Sequence, residues 1–372
     1  MIRLQVHRNR VLEDILRQIG NNWSLFRKPM SVTFINDQGP EAGIDVGGLT
    51  KELLTMAMSL ICDPQRGVFA STSENSSLFP SPLSEVSDEC QILLELAGAI
   101  VGKAMYEGFL LNFPLSPFFI AKLQGRVPNI DDLQQLDPQI YHSLQSIKQL
   151  DADTVKGLCL FFTVEMELLG ELVEEELVPG GRDVPVTGEN KIRYIHLLSD
   201  WHLRKRMVAS SGAFAKGLQG VIALQWLQIF SPTEINRLLG GGPMGLIDVI
   251  DMKRHTVYKG GYTSRSRSVK LFWSVMEKLD DTAIRSVLRF MTGTEAAPLG
   301  GFEHLNPPLA IQMVDSDVGF FKSYLKGSSR RDRLPTASTC FNTLRLPPYQ
   351  RETILREKLL YAVNSNSGFE LS

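Results

Sequence analysis

Four cysteines occur among the 372 residues, and one stands in surroundings suited to chemistry. Cys340 lies in the run Leu334-Pro335-Thr336-Ala337-Ser338-Thr339-Cys340-Phe341-Asn342-Thr343-Leu344-Arg345-Leu346-Pro347-Pro348. Proline fixes φ and lacks a backbone donor, so Pro335 and the Pro347-Pro348 pair mark the limits of a loop or short strand. Ser338, Thr339 and Asn342 give the thiol polar neighbours, which a core cysteine usually lacks. Arg330, Arg331 and Arg333 stand just upstream, and nearby cations favour the nucleophilic thiolate. A free cysteine taken alone is most often a small buried hydrophobe, so it is the setting that singles out Cys340. Cys62, Cys90 and Cys159 lie in segments that read as core or connector. They are far apart, and none of the six histidines pairs with a cysteine at zinc-site spacing, so no metal site is expected.

Such a thiol needs a scaffold. A chain of this length exceeds the size at which one core stops growing, so two or three lobes are expected. Apolar residues make up 43% and charged residues 22%, the balance of an ordinary soluble globular protein. A net charge of −2 argues against nucleic-acid binding through bulk positive charge. No uncharged apolar run reaches the ~18 residues of a membrane span; the most apolar stretch, Ile92 to Leu111, is interrupted by Glu95, Lys103 and Glu107. The start, Met1-Ile2-Arg3-Leu4-Gln5-Val6-His7-Arg8, lacks the apolar core of a signal peptide. Scattered, unpaired cysteines suit reduced thiols in the cytosol or nucleus.

Along the chain, Val11, Ile15, Leu16 and Ile19 share one face of a helix from Val11 to Ile19. Ser31 to Ile35 is β-rich, and Asn36-Asp37-Gln38-Gly39-Pro40 turns the chain. Gly47-Gly48 leads into a helix from Leu49 to Leu60. Ile92 to Tyr106 is a mostly apolar, hence buried, helix whose Gly98 and Gly102 let another element approach closely. Ser231-Pro232-Thr233-Glu234 combines a capping box with proline at the first helical position, opening a helix that runs to Leu239. It stops at Gly240-Gly241-Gly242-Pro243. Such a run serves either as a loose C-cap or as a hinge between lobes, and its place in a chain this long favours the hinge. A compact α+β region follows. Val269, Phe272, Trp273, Met276 and Leu279 have helical spacing, Asp281 caps a second helix through Phe290 that Gly293 ends, and Thr353 to Val363 forms a last amphipathic helix.

The block around Cys340 resembles the active-site loop of HECT-type E3 ubiquitin ligases. Five further blocks match in family order. Gly43-Ile44-Asp45-Val46-Gly47-Gly48-Leu49-Thr50-Lys51-Glu52 resembles the early glycine-rich segment, and Gly98 to Phe113 the buried central helix. Thr187-Gly188-Glu189-Asn190 resembles the motif before the next long helix. Phe290-Met291-Thr292-Gly293-Thr294 with Pro298-Leu299-Gly300-Gly301-Phe302 is similar to the second-lobe signature, and Gly368-Phe369-Glu370-Leu371-Ser372 to the ending. Ser338 stands where many members have histidine, which one subgroup replaces with serine; this makes a histidine-assisted account of Cys340 untenable here. The resemblance leaves no residues over for long substrate-selecting regions, so an isolated catalytic module or a very short ligase is expected.

What the resemblance implies is an α+β, bilobal HECT-like fold. A mainly helical N-lobe over 1–240 carries an E2-binding subdomain at about 150–220. A hinge at 241–245 precedes an α+β catalytic C-lobe over 246–372. Cys340 takes ubiquitin from an E2 thioester and passes it to a substrate lysine, with no cofactor. Thr339, Asn342 and Ser338 support the loop. Phe369 orients the tail, against the reading that it is a casual exposed aromatic or a docking plug. Glu370 is a candidate acid/base, or a solvated tail charge. Phe161, Phe162, Leu168, Leu169, Phe214 and Leu218 are candidate apolar anchors for the E2, or core. The implied partners are charged E2, ubiquitin and protein substrates. A catalytically silent ubiquitin- or E2-binding module is the alternative, which the intact Cys340 and Phe369 count against. A cysteine protease is a third reading: no histidine lies near Cys340 in sequence, though folding can bring one.

Overall fold

A computed structural model describes residues 1–36, 39–40, 48–72, 77–111, 113–168, 171–240, 247–295, 297–298, 300–314 and 333–366, and at Cys340 the backbone. The fold is α+β. At the start of the chain, strand Ile2–His7 runs parallel to strand Met30–Asn36, with Ile2 opposite Met30 and His7 opposite Ile35. Parallel neighbours need a crossover, supplied here by helix Val11–Ile19 with the bounds its apolar spacing predicts. Strand alternation turns Leu4, Val6, Val32 and Phe34 inward, where they meet Val11 and Ile15 of that helix.

The central helix Asp88–Glu107 begins where the Ser87 side chain accepts from Cys90 N–H, and ends at Gly108 in the left-handed conformation, φ 72°. Its middle, Leu93 to Ala104, is buried nearly all round. Helix Val208–Val221 crosses it at the glycines the sequence points to. A methyl on Gly98 would lie 2.0 Å from the Phe214 carbonyl oxygen, and one on Gly102 would lie 2.8 Å from Val221 Cβ. The crossing helix contributes its own glycine: a methyl on Gly217 would lie 1.7 Å from the Glu95 carbonyl oxygen. The Glu85 carboxylate accepts from Ala209 N–H, Ser210 N–H and the Ser210 hydroxyl, and so satisfies the otherwise orphaned donors at that helix's start.

Between these helices in sequence, strands Thr163–Leu168 and Glu171–Glu176 form an antiparallel hairpin. Trp201, on helix Lys191–Leu203, donates its indole N–H to Glu175 at 2.8 Å and ties that helix to the hairpin.

The C-terminal part is built on a four-stranded sheet in the order Thr336–Ser338, Thr343–Leu346, Ala310–Met313, Val257–Lys259. Helices Arg267–Met276, Asp281–Thr292 and Glu352–Asn366 pack around it through Val269, Phe272, Trp273, Met276, Leu288 and Leu359. Asp280, not Asp281, caps the second of these helices by accepting from Ala283 N–H. Asp281 already sits in the first turn and binds Arg285 Nε at 2.6 Å instead. Gly293 ends the helix as expected, with φ 82°.

Two apolar cores result. One gathers buried side chains from Leu4 to Leu239; the other runs from Ile247 to Val363 and borrows Leu110 from the N-terminal part. Helix Pro232–Gly240 closes the first, opened by the predicted box in which Ser231 N–H donates to Glu234 and Glu234 N–H to the Ser231 hydroxyl. No helix among the described residues is long and apolar enough to cross a membrane.

Candidate active site

Strands Thr336–Ser338 and Thr343–Leu346 pair antiparallel, Thr336 opposite Arg345 and Ser338 opposite Thr343. Cys340 therefore occupies the tip of a β-hairpin. Pro335 precedes its first strand and Pro347 follows its second, as the proline spacing predicts. The second strand is also paired with Ala310–Met313 and buries Leu344 and Leu346, so the tip projects from an anchored strand. Residues Thr339–Phe341 make one tight helical turn. Asn342 then reverses the chain with φ 46°, a left-handed conformation that asparagine tolerates better than most residues.

Asn342 is fully buried, and its polar atoms are spoken for. Its N–H donates to the Thr339 carbonyl, its carbonyl accepts from Ala310 N–H, and its amide nitrogen donates to the Pro307 carbonyl at 2.5 Å. Its amide oxygen accepts from the Lys51 ammonium at 2.7 Å. Further out, the Tyr349 hydroxyl donates to the Arg333 carbonyl and the Tyr262 hydroxyl to the Leu346 carbonyl, clamping the hairpin's base. Burial pushes both phenols up, so they stay protonated donors.

Lys51 belongs to helix Gly48–Ile61 of the N-terminal part and is only 4% exposed. Besides Asn342, its ammonium donates to the carbonyls of Thr292 at 3.2 Å and Thr339 at 3.3 Å. Charge-assisted hydrogen bonds of this kind contribute about 1.5–3 kcal/mol each and offset the cost of drying the ammonium. One turn earlier, Gly48 has no side chain, and a methyl there would lie 2.1 Å from the Phe341 ring. The residues flanking Cys340 thus rest against one helix of the other part.

The remaining sequence candidates divide. Ser338 is half-buried in the hairpin ladder, and Thr339 is exposed while its carbonyl holds the turn. Arg333 is exposed near the hairpin base; Arg330 and Arg331 lie outside the described residues, as do Phe369, Glu370, Gly241, Gly242, Pro243 and Leu169. Nothing is described of the Leu168 side chain, and Gly240 ends its helix. Phe161 is 42% exposed. Phe162, Phe214 and Leu218 are a correction: they are buried in the N-terminal core. Phe214 packs edge-on to Phe69 and Phe119, and Leu218 faces Gly102 across the helix crossing, so none offers a surface to a partner. Burial pushes the Cys62 thiol up to about 12, which leaves it protonated and a poor nucleophile near neutral pH.

Residues 53–372 match the family described as HECT-domain (ubiquitin-transferase). The chain belongs to the HECT-domain family. It is 37% identical to Ubiquitin-protein ligase E3B of Homo sapiens, over 99% of this chain and 36% of that protein. It is 35% identical to E3 ubiquitin-protein ligase UPL6 of Arabidopsis thaliana, over 100% of this chain and 35% of that protein. It is also 35% identical to E3 ubiquitin-protein ligase HUL5 of Saccharomyces cerevisiae, over 99% and 39%. The chain therefore spans little more than a third of the length of each of these three relatives.

Sequence reasoning gave Lys51 no role, although the signal was present. Leu54, Ala57, Met58 and Ile61 form the buried stripe of its helix, and Lys51 sits three and seven residues before Leu54 and Met58. A lysine inside an apolar stripe needs polar acceptors from another element. Nothing in the sequence said that two of those acceptors would come from the hairpin of Cys340, 288 and 291 residues away.

Proposed function

We propose that this chain is the catalytic module of an E3 ubiquitin ligase, with Cys340 as the residue that carries ubiquitin. The observation that supports this most is the braced hairpin tip bearing Cys340 in a chain of the HECT-domain family. In the first step, the Cys340 thiolate attacks the carbonyl carbon of a ubiquitin–E2 thioester. A new C–S bond forms, the bond to the E2 sulfur breaks, and the E2 leaves as thiolate. In the second step, a deprotonated lysine amine attacks the Cys340 thioester. An amide forms, Cys340 leaves as thiolate, and the amine's extra proton passes to a base. One thioester replaces another at the start, so loading is near balanced, and amide formation pulls the sequence forward. The test is to incubate the chain with charged E2 and separate the products without reductant. A thiol-sensitive ubiquitin adduct is expected; a bound but unmodified chain, or loss of existing conjugates, would overturn the reading.

Within this reading the N-lobe is 1–240 and the C-lobe 246–372, in keeping with the two apolar cores. The E2 docks on about 150–220, where Phe161, Leu172, Val184 and Ile192 are exposed apolar side chains. A place in the cytosol or nucleus, where thiols stay reduced, accords with the scattered cysteines. Gly240 to Pro243 acts as the hinge, because Cys340 must meet first the E2 and then the lysine. Proline at positions 241 and 242 together is expected to leave both lobes folded and to slow transfer by tenfold or more, on the order of the gating effects of stiffened hinges. Transfer at the wild-type rate would remove the hinge from this place.

Phe369 anchors the tail and orients the loaded Cys340, with Glu370 as the candidate base beside it. Anchoring acts through proximity, and a small misplacement can cost about a hundredfold in rate. Phe369→Ala is therefore expected to form the thioester normally and discharge it slowly to lysine. Equal losses in both steps, read separately by single turnover, would argue for a general structural role instead.

A further inference from the structure

We propose that Lys51 is a positioning residue for the transfer step. By binding Asn342 Oδ1 and the carbonyls of Thr292 and Thr339, it docks the Cys340 hairpin tip on helix Gly48–Ile61, in the arrangement from which ubiquitin passes to lysine. This rests on the ligase reading of Cys340.

Filling space does not require an ammonium at this position. The stripe of Leu54, Met58 and Ile61 would be continued at lower desolvation cost by leucine or methionine. What the ammonium adds is direction, because it donates to several oxygens at once. Two of these acceptors belong to residues on either side of Cys340: the Thr339 carbonyl immediately before it and the Asn342 amide oxygen two residues after it. Another, the Thr292 carbonyl, lies at the end of helix Asp281–Thr292, so the tip is registered against the C-terminal helices as well. Gly48 completes the seat by leaving room for the Phe341 ring. Residues 339, 341 and 342 are thus held by one face of one helix, and the backbone at Cys340 is fixed from both flanks. Asn306 Nδ2 donating to the Glu107 carbonyl at 3.3 Å, and Leu110 in the C-terminal core, show that the docking extends beyond the tip.

The geometry favours the second step over the first. Loading brings a folded E2, with its own cysteine, up to the hairpin tip. Discharge brings only the end of one lysine side chain to the thioester. A tip covered on one side by helix Gly48–Ile61 has lost approach directions that the folded surface around an E2 cysteine needs and the end of a lysine side chain does not. A thioester held at both flanks also meets the amine with less orientational freedom to lose.

The experiment uses the full chain in single turnover. Cys340 is loaded from charged E2, recharging is stopped, and discharge to free lysine is followed over a range of lysine concentrations. Lys51→Met is expected to load within threefold of wild type. Its maximal discharge rate should fall by tenfold or more, with the half-saturating lysine concentration unchanged. Lys51→Arg, which keeps a cation and its donors, should recover part of the rate. Gly48→Leu displaces Phe341 without touching the ammonium and should show the same split; it carries the test if Lys51→Met does not fold. Unchanged discharge overturns the proposal, as does a parallel loss of loading and discharge. A wild-type chain that never forms the thioester would instead sink the ligase reading. A wild type that loads and discharges, matched by Lys51→Met, would remove only the docking role.

Discussion

Alanine at position 340 is expected to abolish the ubiquitin adduct and to lower lysine ligation by on the order of a thousandfold or more, as removal of a covalent nucleophile does. A thiol is small, its backbone lies at a hairpin tip, and the described bonds that shape the tip run through Asn342, Thr339 and Lys51. Folding should therefore be kept, and unfolding temperatures should coincide with wild type. Serine should differ from alanine in an informative way. Its hydroxyl can accept ubiquitin as an oxyester, which resists reductant and is too unreactive to pass on quickly. A triple variant with serine at Cys62, Cys90 and Cys159 should still load, and for Cys62 the reason is its burial and raised pKa. Substantial ligation by the alanine variant would assign the thioester to another thiol and undo the reading of the hairpin.

The hairpin was legible because its punctuation is local. Prolines bound the strands, and asparagine is among the few side chains that accept φ 46° at the turn. The same holds for helix Val11–Ile19, whose stripe and ends are written in nine consecutive residues. The cap falls on Asp280, one position before the residue the sequence points to, because two aspartates stand side by side and only the backbone angles decide which is outside the helix. Phe162, Phe214 and Leu218 fit docking anchors or core equally well from sequence. An apolar side chain carries the same sequence signal in either place, and the helix crossing that buries two of them is a tertiary fact. Lys51 illustrates the limit most sharply. Its misfit in an apolar stripe is visible, but the identity of its acceptors depends on how two separate cores meet.

That helix crossing carries the second large effect. Gly217→Ala is expected to destabilise the N-terminal part by about 3 kcal/mol or more, toward the upper end of what overpacking costs. The added methyl would lie 1.7 Å from the Glu95 carbonyl oxygen and 2.9 Å from its Cα. These are backbone atoms within a helix that is itself buried, so no side chain can swing aside. The two helices must separate, and contacts along the whole crossing loosen together. At roughly 2–4 °C per kcal/mol for a unit of this size, the unfolding temperature should drop by about 6–12 °C. Gly212 supplies the control. It lies on the same helix, is exposed, and a methyl there meets nothing within 4 Å. Replacing glycine by alanine at an open helical site removes about 0.5–1 kcal/mol of unfavourable backbone entropy, so Gly212→Ala should be neutral or raise the temperature by a few degrees. The same substitution, five residues apart on one helix, should therefore be strongly destabilising at one position and neutral or stabilising at the other. Thermal unfolding of the two variants followed by circular dichroism reads this directly. Tolerance of alanine at Gly217 would mean that the helices do not cross as closely as described.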